Sequence, residues 1–289
     1  MAAVDIVFIG FGEAGQAFAG GLDCARRGYD RKLDDAATAA TKRAEFDVCG
    51  TTAMASNAAA VGGAGLILSL VTADEALAAA EETARALQRG ALYFDANSVA
   101  PDTKRAAAAA IEAAGGRYID MAVMAPVHPL RLQVPLLLSG AFAHDAVDVL
   151  THLGFQPRVV GDAVGHASAI KMIRSVMVKG LEALSAECVL AAHVAGVEAE
   201  VIASLDGSWR EQGWADRFDY NLDRMLVHGS RRAAEMEEVV KTLDSLGTGS
   251  EMTRGTVRRQ RALGAIGIGA PDGLEAKMDL ILEWKGAAA

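Results

Sequence analysis

Gly10-Phe11-Gly12-Glu13-Ala14-Gly15 follows an apolar run holding Val4, Ile6, Val7, Phe8 and Ile9, and precedes a segment of helical period with Ala17, Phe18 and Leu22. Glycines at this spacing between a strand and a helix suit the binding of a pyrophosphate. Gly10 permits the sharp turn, Gly12 lets the phosphates approach the backbone, and Gly15 lets the helix lie against the strand, while Phe11, Glu13 and Ala14 carry the N–H groups of the helix start. Such a turn is usually paired with an acid about 20 positions on, which hydrogen-bonds a ribose 2′-OH, and Asp30 occupies that place. Arg31 and Lys32 follow it. A cation there would hold a 2′-phosphate, and all three residues also fit plain loop charges in solvent, so NAD is favoured with NADP kept open. Cys24, Cys49 and Cys188 lie far apart without a CxxC pair, which argues for a reduced, cytoplasmic protein with neither a disulfide framework nor a metal site.

The elements that would position these residues divide the chain in two. Short apolar runs alternate with Ala-rich helical segments through the first 160 or so residues, the pattern of a βαβ sheet domain. Strands are expected at Val4 to Gly10, Phe46 to Val48, Leu66 to Val71, Ala91 to Asp95, Arg117 to Met121, Val134 to Ser139 and Gln156 to Val160. The short stretch between Gly15 and Gly28 predicts a clipped second strand. One helix is opened by Pro101 and closed by Gly115-Gly116. After Gly161 only helices are expected: 163–194, 197–205, 215–228, 230–246, 251–263 and 274–284. The expected fold is therefore an α/β Rossmann-type, doubly wound parallel sheet over residues 1–162, followed by an all-helical domain over 163–289 that begins with a long helix. Ile170, Ile173, Met177, Leu181, Leu184 and Cys188 would form an apolar seam of that helix, packed on the sheet domain or on a partner.

Composition narrows the partners. Among 289 residues, 28 Lys+Arg stand against 37 Asp+Glu, a net charge of −9, and no basic run is longer than pairs such as Arg258-Arg259, so nucleic acid is not an expected partner. No apolar stretch reaches the roughly 18 residues of a membrane span, and Asp5 within the first apolar run argues against a secretory signal.

The glycine-rich turn, the strand end at Leu66 to Thr72, Asp95-Ala96-Asn97-Ser98-Val99-Ala100-Pro101, Asp120 to Pro126, Gly161 to Gly165 and Lys171 together resemble the β-hydroxyacid dehydrogenase and 6-phosphogluconate dehydrogenase family. His228 to Met236 is similar to a subgroup with an uncharacterised helical C-terminal domain. The resemblance implies that Val71, Thr72 and Asn97 border the cofactor and that Lys171, early in the long helix, is the general acid/base for interconverting a hydroxy acid and its carbonyl form. It also implies a homodimer formed through the helical domain. Arg174 and Ser175 lie three and four positions after Lys171, on its helix face, where the family has His or Asn, then Asn. Arg174 would suit a carboxylate or phosphate of a small anionic substrate, or a structural ion pair. The family's Asp-Ala-Pro-Val-Ser-Gly-Gly becomes Asp120-Met121-Ala122-Val123-Met124-Ala125-Pro126, so Met124 replaces a substrate-holding serine and Ala125 a glycine. A more apolar pocket lined by Met121 and Met124, or two core methionines, would follow. Arg231, Arg232 and Glu235 would form a charged helix face, solvated or closing over the site from a second subunit.

Three other activities fit parts of this pattern. An imine reductase would share the fold but need no lysine, a lyase acting on a β-hydroxy acid would use the same base after transient oxidation, and a non-catalytic dinucleotide sensor would keep only the glycine-rich turn. Lys171 favours the dehydrogenase.

Overall fold

A computed structural model describes residues 5–208 and 213–284. The chain divides into two compact units, Met1–Lys171 and Met172–Ala289. The first contains β1 (Asp5–Ile9), α1 (Glu13–Ala19), β2 (Ala25–Tyr29), α2 (Ala39–Val48), β3 (Thr52–Ala53), α3 (Asn57–Val61), β4 (Leu66–Ser69), α4 (Ala76–Ala84), β5 (Leu92–Asp95), α5 (Pro101–Ala113), β6 (Arg117–Val123), β7 (Pro135–Ser139), α6 (Ala143–His152) and β8 (Gln156–Gly161). The strands form one eight-stranded sheet in the order β3-β2-β1-β4-β5-β6-β7-β8.

Both faces of this sheet are covered, which is why its strands read as unbroken apolar runs. Ile6, Phe8, Leu66, Leu68, Leu92, Phe94, Ile119 and Met121 pack on one face with Phe18, Phe46, Ala146 and Leu150 from α1, α2 and α6. The alternate residues Val7, Ile9, Ile67, Tyr93 and Tyr118 pack on the other with Ala60, Val61, Ala80, Ala107, Ala108 and Ile111 from α3, α4 and α5. The order reverses between β1 and β4, the position at which doubly wound sheets open a crevice beyond their strand ends.

Three expectations are corrected here. Phe46 to Val48 closes α2, and the neighbouring strand is the two-residue β3. The second strand is not clipped: β2 pairs with β1 over Asp5↔Ala25 to Ile9↔Tyr29. The sheet is not wholly parallel, because β7 runs antiparallel to β6. Residues 124–134 hold only a single 3-10 turn, Arg131–Gln133, and a parallel return would need a crossover of about a dozen residues or more, usually a helix.

The long helix α7 (His166–Ala195) crosses the division between the units. The second unit continues with α8 (Glu198–Ser208), α9 (Trp214–Leu246), α10 (Glu251–Gly264) and α11 (Leu274–Glu283). Ala183, Ala186, Val189 and Leu190 of α7 pack with Phe218, Leu222 and Met225 of α9, Leu263 of α10 and Met278 and Ile281 of α11. The expected break near Gly229 is absent. That glycine lets α9 and α10 touch backbone to backbone, since a Cβ on it would lie 2.3 Å from the Gln260 carbonyl oxygen and 2.8 Å from Gly264 Cα.

Within its own unit α7 buries a different face from the expected apolar seam. Ile170, Ile173, Met177, Leu184 and Cys188 are exposed, whereas Ser175, Lys179, Glu182 and Ser185 are buried. They are buried because α9 and α10 supply polar partners: Arg232 pairs with Glu182, Gln260 Nε2 donates to Glu182 at 2.7 Å, Lys179 Nζ pairs with Glu235 at 2.5 Å, and Asn221 Nδ2 donates to Ser185 at 2.8 Å. Arg232 and Glu235 thus turn inward to their own chain, and Arg231 remains exposed. Burial pushes the Lys179 amine below its usual value, opposed by Glu235. Of the three aromatic residues that the sequence offers as packing groups of this domain, Trp214 packs partly buried with this core, Tyr220 is instead exposed, and Trp209 lies outside the described residues. Among the described residues no helix is long and apolar enough to cross a membrane.

Candidate functional site

The glycine-rich turn joins β1 to α1 at the reversal point of the sheet. Gly10 has φ +85°, donates its N–H to the Tyr29 carbonyl at 2.9 Å, and has no room for a Cβ, which would sit 2.6 Å from the Leu70 oxygen. Gly15 packs its Cα against the turn, where a Cβ would lie 3.2 Å from the Gly10 oxygen. Gly12 is different. A Cβ there meets nothing within 4 Å, so the backbone is open to solvent at the point a pyrophosphate would approach. Exposed Glu13 and partly buried Ala14 follow at the start of α1, while Phe11 is buried, stacked on Phe46 with ring centroids 4.0 Å apart.

Asp30 ends β2 and braces this turn. Its Oδ2 accepts from Phe11 N at 2.8 Å and its Oδ1 from Lys32 N at 3.0 Å. Lys42 of α2, which the sequence reading missed, is buried beneath: its Nζ donates to the Phe11 carbonyl at 3.0 Å, pairs with Glu45 and lies 3.9 Å from Asp30. Its only sequence signal is the three-residue spacing to Glu45. Arg31 is exposed and pairs with Glu75, and Lys32 is exposed.

The ends of β4 and β5 continue the site away from the turn. The Gly10 backbone lies against Leu70 and Val71, Val71 N donates to Asn97 Oδ1 at 2.7 Å, and Thr72 is exposed beyond it. Asn97 is buried, its amide donating to Ser69 Oγ at 3.0 Å and Asp95 Oδ1 at 2.8 Å, so its side chain ties two strand ends together. Ser98, next in the chain, receives the Lys171 ammonium at 2.5 Å. Lys171 is partly buried, and its contacts reach back through Ser98, Asn97 and Val71 to the glycine-rich turn.

Beneath this pair lies a wholly buried polar cluster. Lys104 of α5, 0% exposed, donates to Asp95 Oδ1 at 2.9 Å and faces Asp120 Oδ1 at 3.4 Å. Tyr118 donates its hydroxyl to Asp95 Oδ2 at 2.7 Å, and burial, with the Asp95 charge, pushes that phenol well above its ordinary range. Asp120 Oδ2 accepts from Gly165 N at 3.1 Å, Ser168 N at 3.0 Å and Ser168 Oγ at 3.1 Å, and Ser139 Oγ accepts from Ala167 N at 3.0 Å.

Met121 is fully buried in the sheet core, whereas Met124 is half-buried beside Ala122, Leu137 and Ala167, and Ala125 packs partly buried on the same core as Met121. On α7, Ser175 is buried and Arg174 exposed. Two histidines near these elements, His128 in the loop after β6 and His166 at the start of α7, are exposed. No group of three or more His, Cys, Asp or Glu among the described residues could hold a metal ion.

Comparison with known proteins bears on the fold that carries this site. Residues 5–127 match the NAD-binding domain of 6-phosphogluconate dehydrogenase, and residues 192–263 match a helical domain of unknown function, DUF1932. A conserved hypothetical protein from Sinorhizobium meliloti 1021 is 36% identical over 96% of both chains, with a TM-score of 0.74. The chain belongs to this β-hydroxyacid dehydrogenase-like family, in the subgroup with the DUF1932 domain. A conserved protein described as structurally similar to 3-hydroxyacid dehydrogenases is 28% identical, covering 91% of this chain and 97% of that one at a TM-score of 0.69. Mycobacterium tuberculosis 3-hydroxyisobutyrate dehydrogenase, 16% identical, shares the fold over 98% of this chain and 99% of its own, with a TM-score of 0.73. An uncharacterised 28.5 kDa protein of Methanothermus fervidus is 26% identical over 176 residues, a match spanning 61% of this chain and 66% of that protein. The first unit is therefore a nicotinamide-dinucleotide-binding domain within a 3-hydroxyacid dehydrogenase-like fold.

Proposed function

We propose that the protein is an NAD(P)-dependent dehydrogenase or reductase that interconverts a hydroxy acid and its carbonyl form. The observation that carries this reading is the Lys171 ammonium on Ser98, at the strand ends that also hold the glycine-rich turn. The open backbone at Gly12 fits the pyrophosphate, and the nicotinamide ring supplies the hydride donor or acceptor when bound. The chain's own task is then a proton. Lys171 Nζ, as the free amine, takes the hydroxyl proton of an alcohol, or as ammonium returns it to the forming alkoxide, and Ser98 Oγ holds that nitrogen in place. Asp30, already accepting from Phe11 N, presents a carboxylate to the adenosine ribose, and Arg31 is drawn to Glu75, which together favour NAD. Arg174, one helical turn after Lys171 on α7, supports an anionic substrate. A panel of aliphatic and aromatic hydroxy acids, assayed with NAD and with NADP by absorbance of the reduced cofactor, tests the reading. Turnover of at least one acid is the expected result. Binding of cofactor with no turnover on any acid or its carbonyl form would contradict it.

A further inference from the structure

We propose that Lys104 is a positioning residue that sets the reach of Lys171 to Ser98. This rests on the reading of Lys171 as the acid/base, but it is argued from different side chains.

Each member of the Lys171–Ser98 pair hangs from its own buried carboxylate. Asp95 accepts from Asn97 N at 3.0 Å and Asn97 Nδ2 at 2.8 Å, which fixes the segment that carries Ser98. Asp120 accepts from Gly165 N and Ser168 N, which fixes the first turn of the helix that carries Lys171, three residues further on. That helix start is buried, with Ala167 at 0% and Ser168 at 2% exposure, so its N–H groups need protein acceptors and cannot turn to water. A negative charge at a helix N-terminus is favoured as well.

Lys104 joins the two halves. Its ammonium touches Asp95 Oδ1 and the Asp95 carbonyl, and it is the group facing Asp120 Oδ1, which has no hydrogen bond of its own. Asp95, Asp120 and Lys104 are all fully buried, so one cation stands between two carboxylates with no solvent to screen them. Without it the carboxylates would repel, and one would take up a proton or swing away. Either response slackens the seat of Ser98 or that of α7, and the Lys171–Ser98 distance is no longer set.

The test measures acetylation of the full-length protein by limiting N-hydroxysuccinimide acetate, read lysine by lysine by mass spectrometry across a pH series. Exposed Lys32 serves as the internal reference. In the wild-type protein Lys171 should label several-fold more slowly than Lys32. In Lys104→Met that gap should close and the pH midpoint of Lys171 labelling should move towards that of Lys32. Ser168→Ala, which removes the hydroxyl shared between Asp120 and the Gly165 carbonyl and keeps the Ser168 N–H on Asp120, should show a smaller change in the same direction and serves if Lys104→Met does not fold. Ile111→Val, an apolar core change two turns further along α5 from Lys104, should leave Lys171 labelling untouched at comparable loss of melting temperature. The proposal is overturned if Lys171 labels like Lys32 in the wild type, if rate and midpoint persist in the folded variants, or if Ile111→Val closes the gap equally. Labelling reads where Lys171 sits, not whether it moves protons, so full turnover in Lys171→Ala would sink the functional reading and leave this one standing.

Discussion

Gly12→Val separates cofactor binding from folding more cleanly than any other substitution in the glycine-rich turn. Gly12 has φ −85° and ψ −157°, extended backbone that valine adopts freely, and its Cβ would meet no atom within 4 Å. As the N-cap of α1, glycine is preferred over valine, so the folding cost should be about 1 kcal/mol, small beside the effect on binding. The bound pyrophosphate would feel the change fully, because the isopropyl group fills the space beside the turn's N–H groups. Charge-assisted hydrogen bonds contribute about 1.5–3 kcal/mol each, so losing one or two removes roughly 3 kcal/mol, or about two orders of magnitude in Kd. Gly10→Ala should behave oppositely: at φ +85° with a Cβ 2.6 Å from the Leu70 oxygen, it strains the fold itself. Calorimetric titration with NADH and NADPH, beside thermal melts of each variant, reads both effects. A folded Gly12→Val protein that binds either dinucleotide with wild-type affinity would refute the placement of the pyrophosphate.

Other substitutions probe the second unit and the choice of cofactor. Gly229→Ala, whose Cβ would lie 2.3 Å from the Gln260 carbonyl, should destabilise the α9–α10 contact by about 1–3 kcal/mol or more, checked by chemical denaturation. Glu182→Ala should cost about 3–5 kcal/mol in the same assay, because it leaves buried Arg232 without its carboxylate. The His193 imidazolium is favoured first by Glu198 and then by Asp279, which raises its pKa above 6.5. Its contribution to stability is therefore present below about pH 6.5 and lost as pH rises through the raised folded value, so the melting difference between wild type and His193→Gln should shrink from mildly acidic to alkaline buffer. Arg31→Ala should leave kcat/KM with NAD within a few-fold; a many-fold higher wild-type kcat/KM with NADP than with NAD would assign the ribose pocket to Arg31 and Lys32 instead.

The parts of this molecule that follow from local pattern were legible in the sequence. β1, the glycine-rich turn and α1 form one continuous signal, and α5 begins at Pro101 and ends just short of the predicted Gly115-Gly116 stop. β2 escaped because Ala25-Arg26-Arg27-Gly28-Tyr29 has neither alternation nor an apolar run; its arginines lie along the strand, with Arg27 pairing with Asp5. The face that α7 buries within its own unit is hidden for a related reason. Apolar periodicity picks out Ile173, Met177 and Leu184 as a seam for the sheet domain or a partner, and says nothing of Lys179 and Glu182, which are buried because α9 and α10 carry matching charges some 50 to 80 residues away, a pairing no local window contains. The same blindness hid Lys42 and Lys104: a charged residue reads as solvated until a second chain segment is seen against it. Ser98 was noticed as part of a motif, yet its partner Lys171 lies 73 residues on, and only the fold joins them.

The account's central claim is that Lys171 moves the proton while the glycine-rich turn holds the cofactor. It is tested most directly by comparing wild type with Lys171→Ala in two measurements on the same preparations: dinucleotide affinity by calorimetry, and turnover of the hydroxy acid that the wild type uses best. Loss of a positioned proton-transfer group typically costs about 10² to 10⁴ in rate, so affinity should be unchanged while turnover falls on that scale. Near-normal turnover in Lys171→Ala would contradict the account.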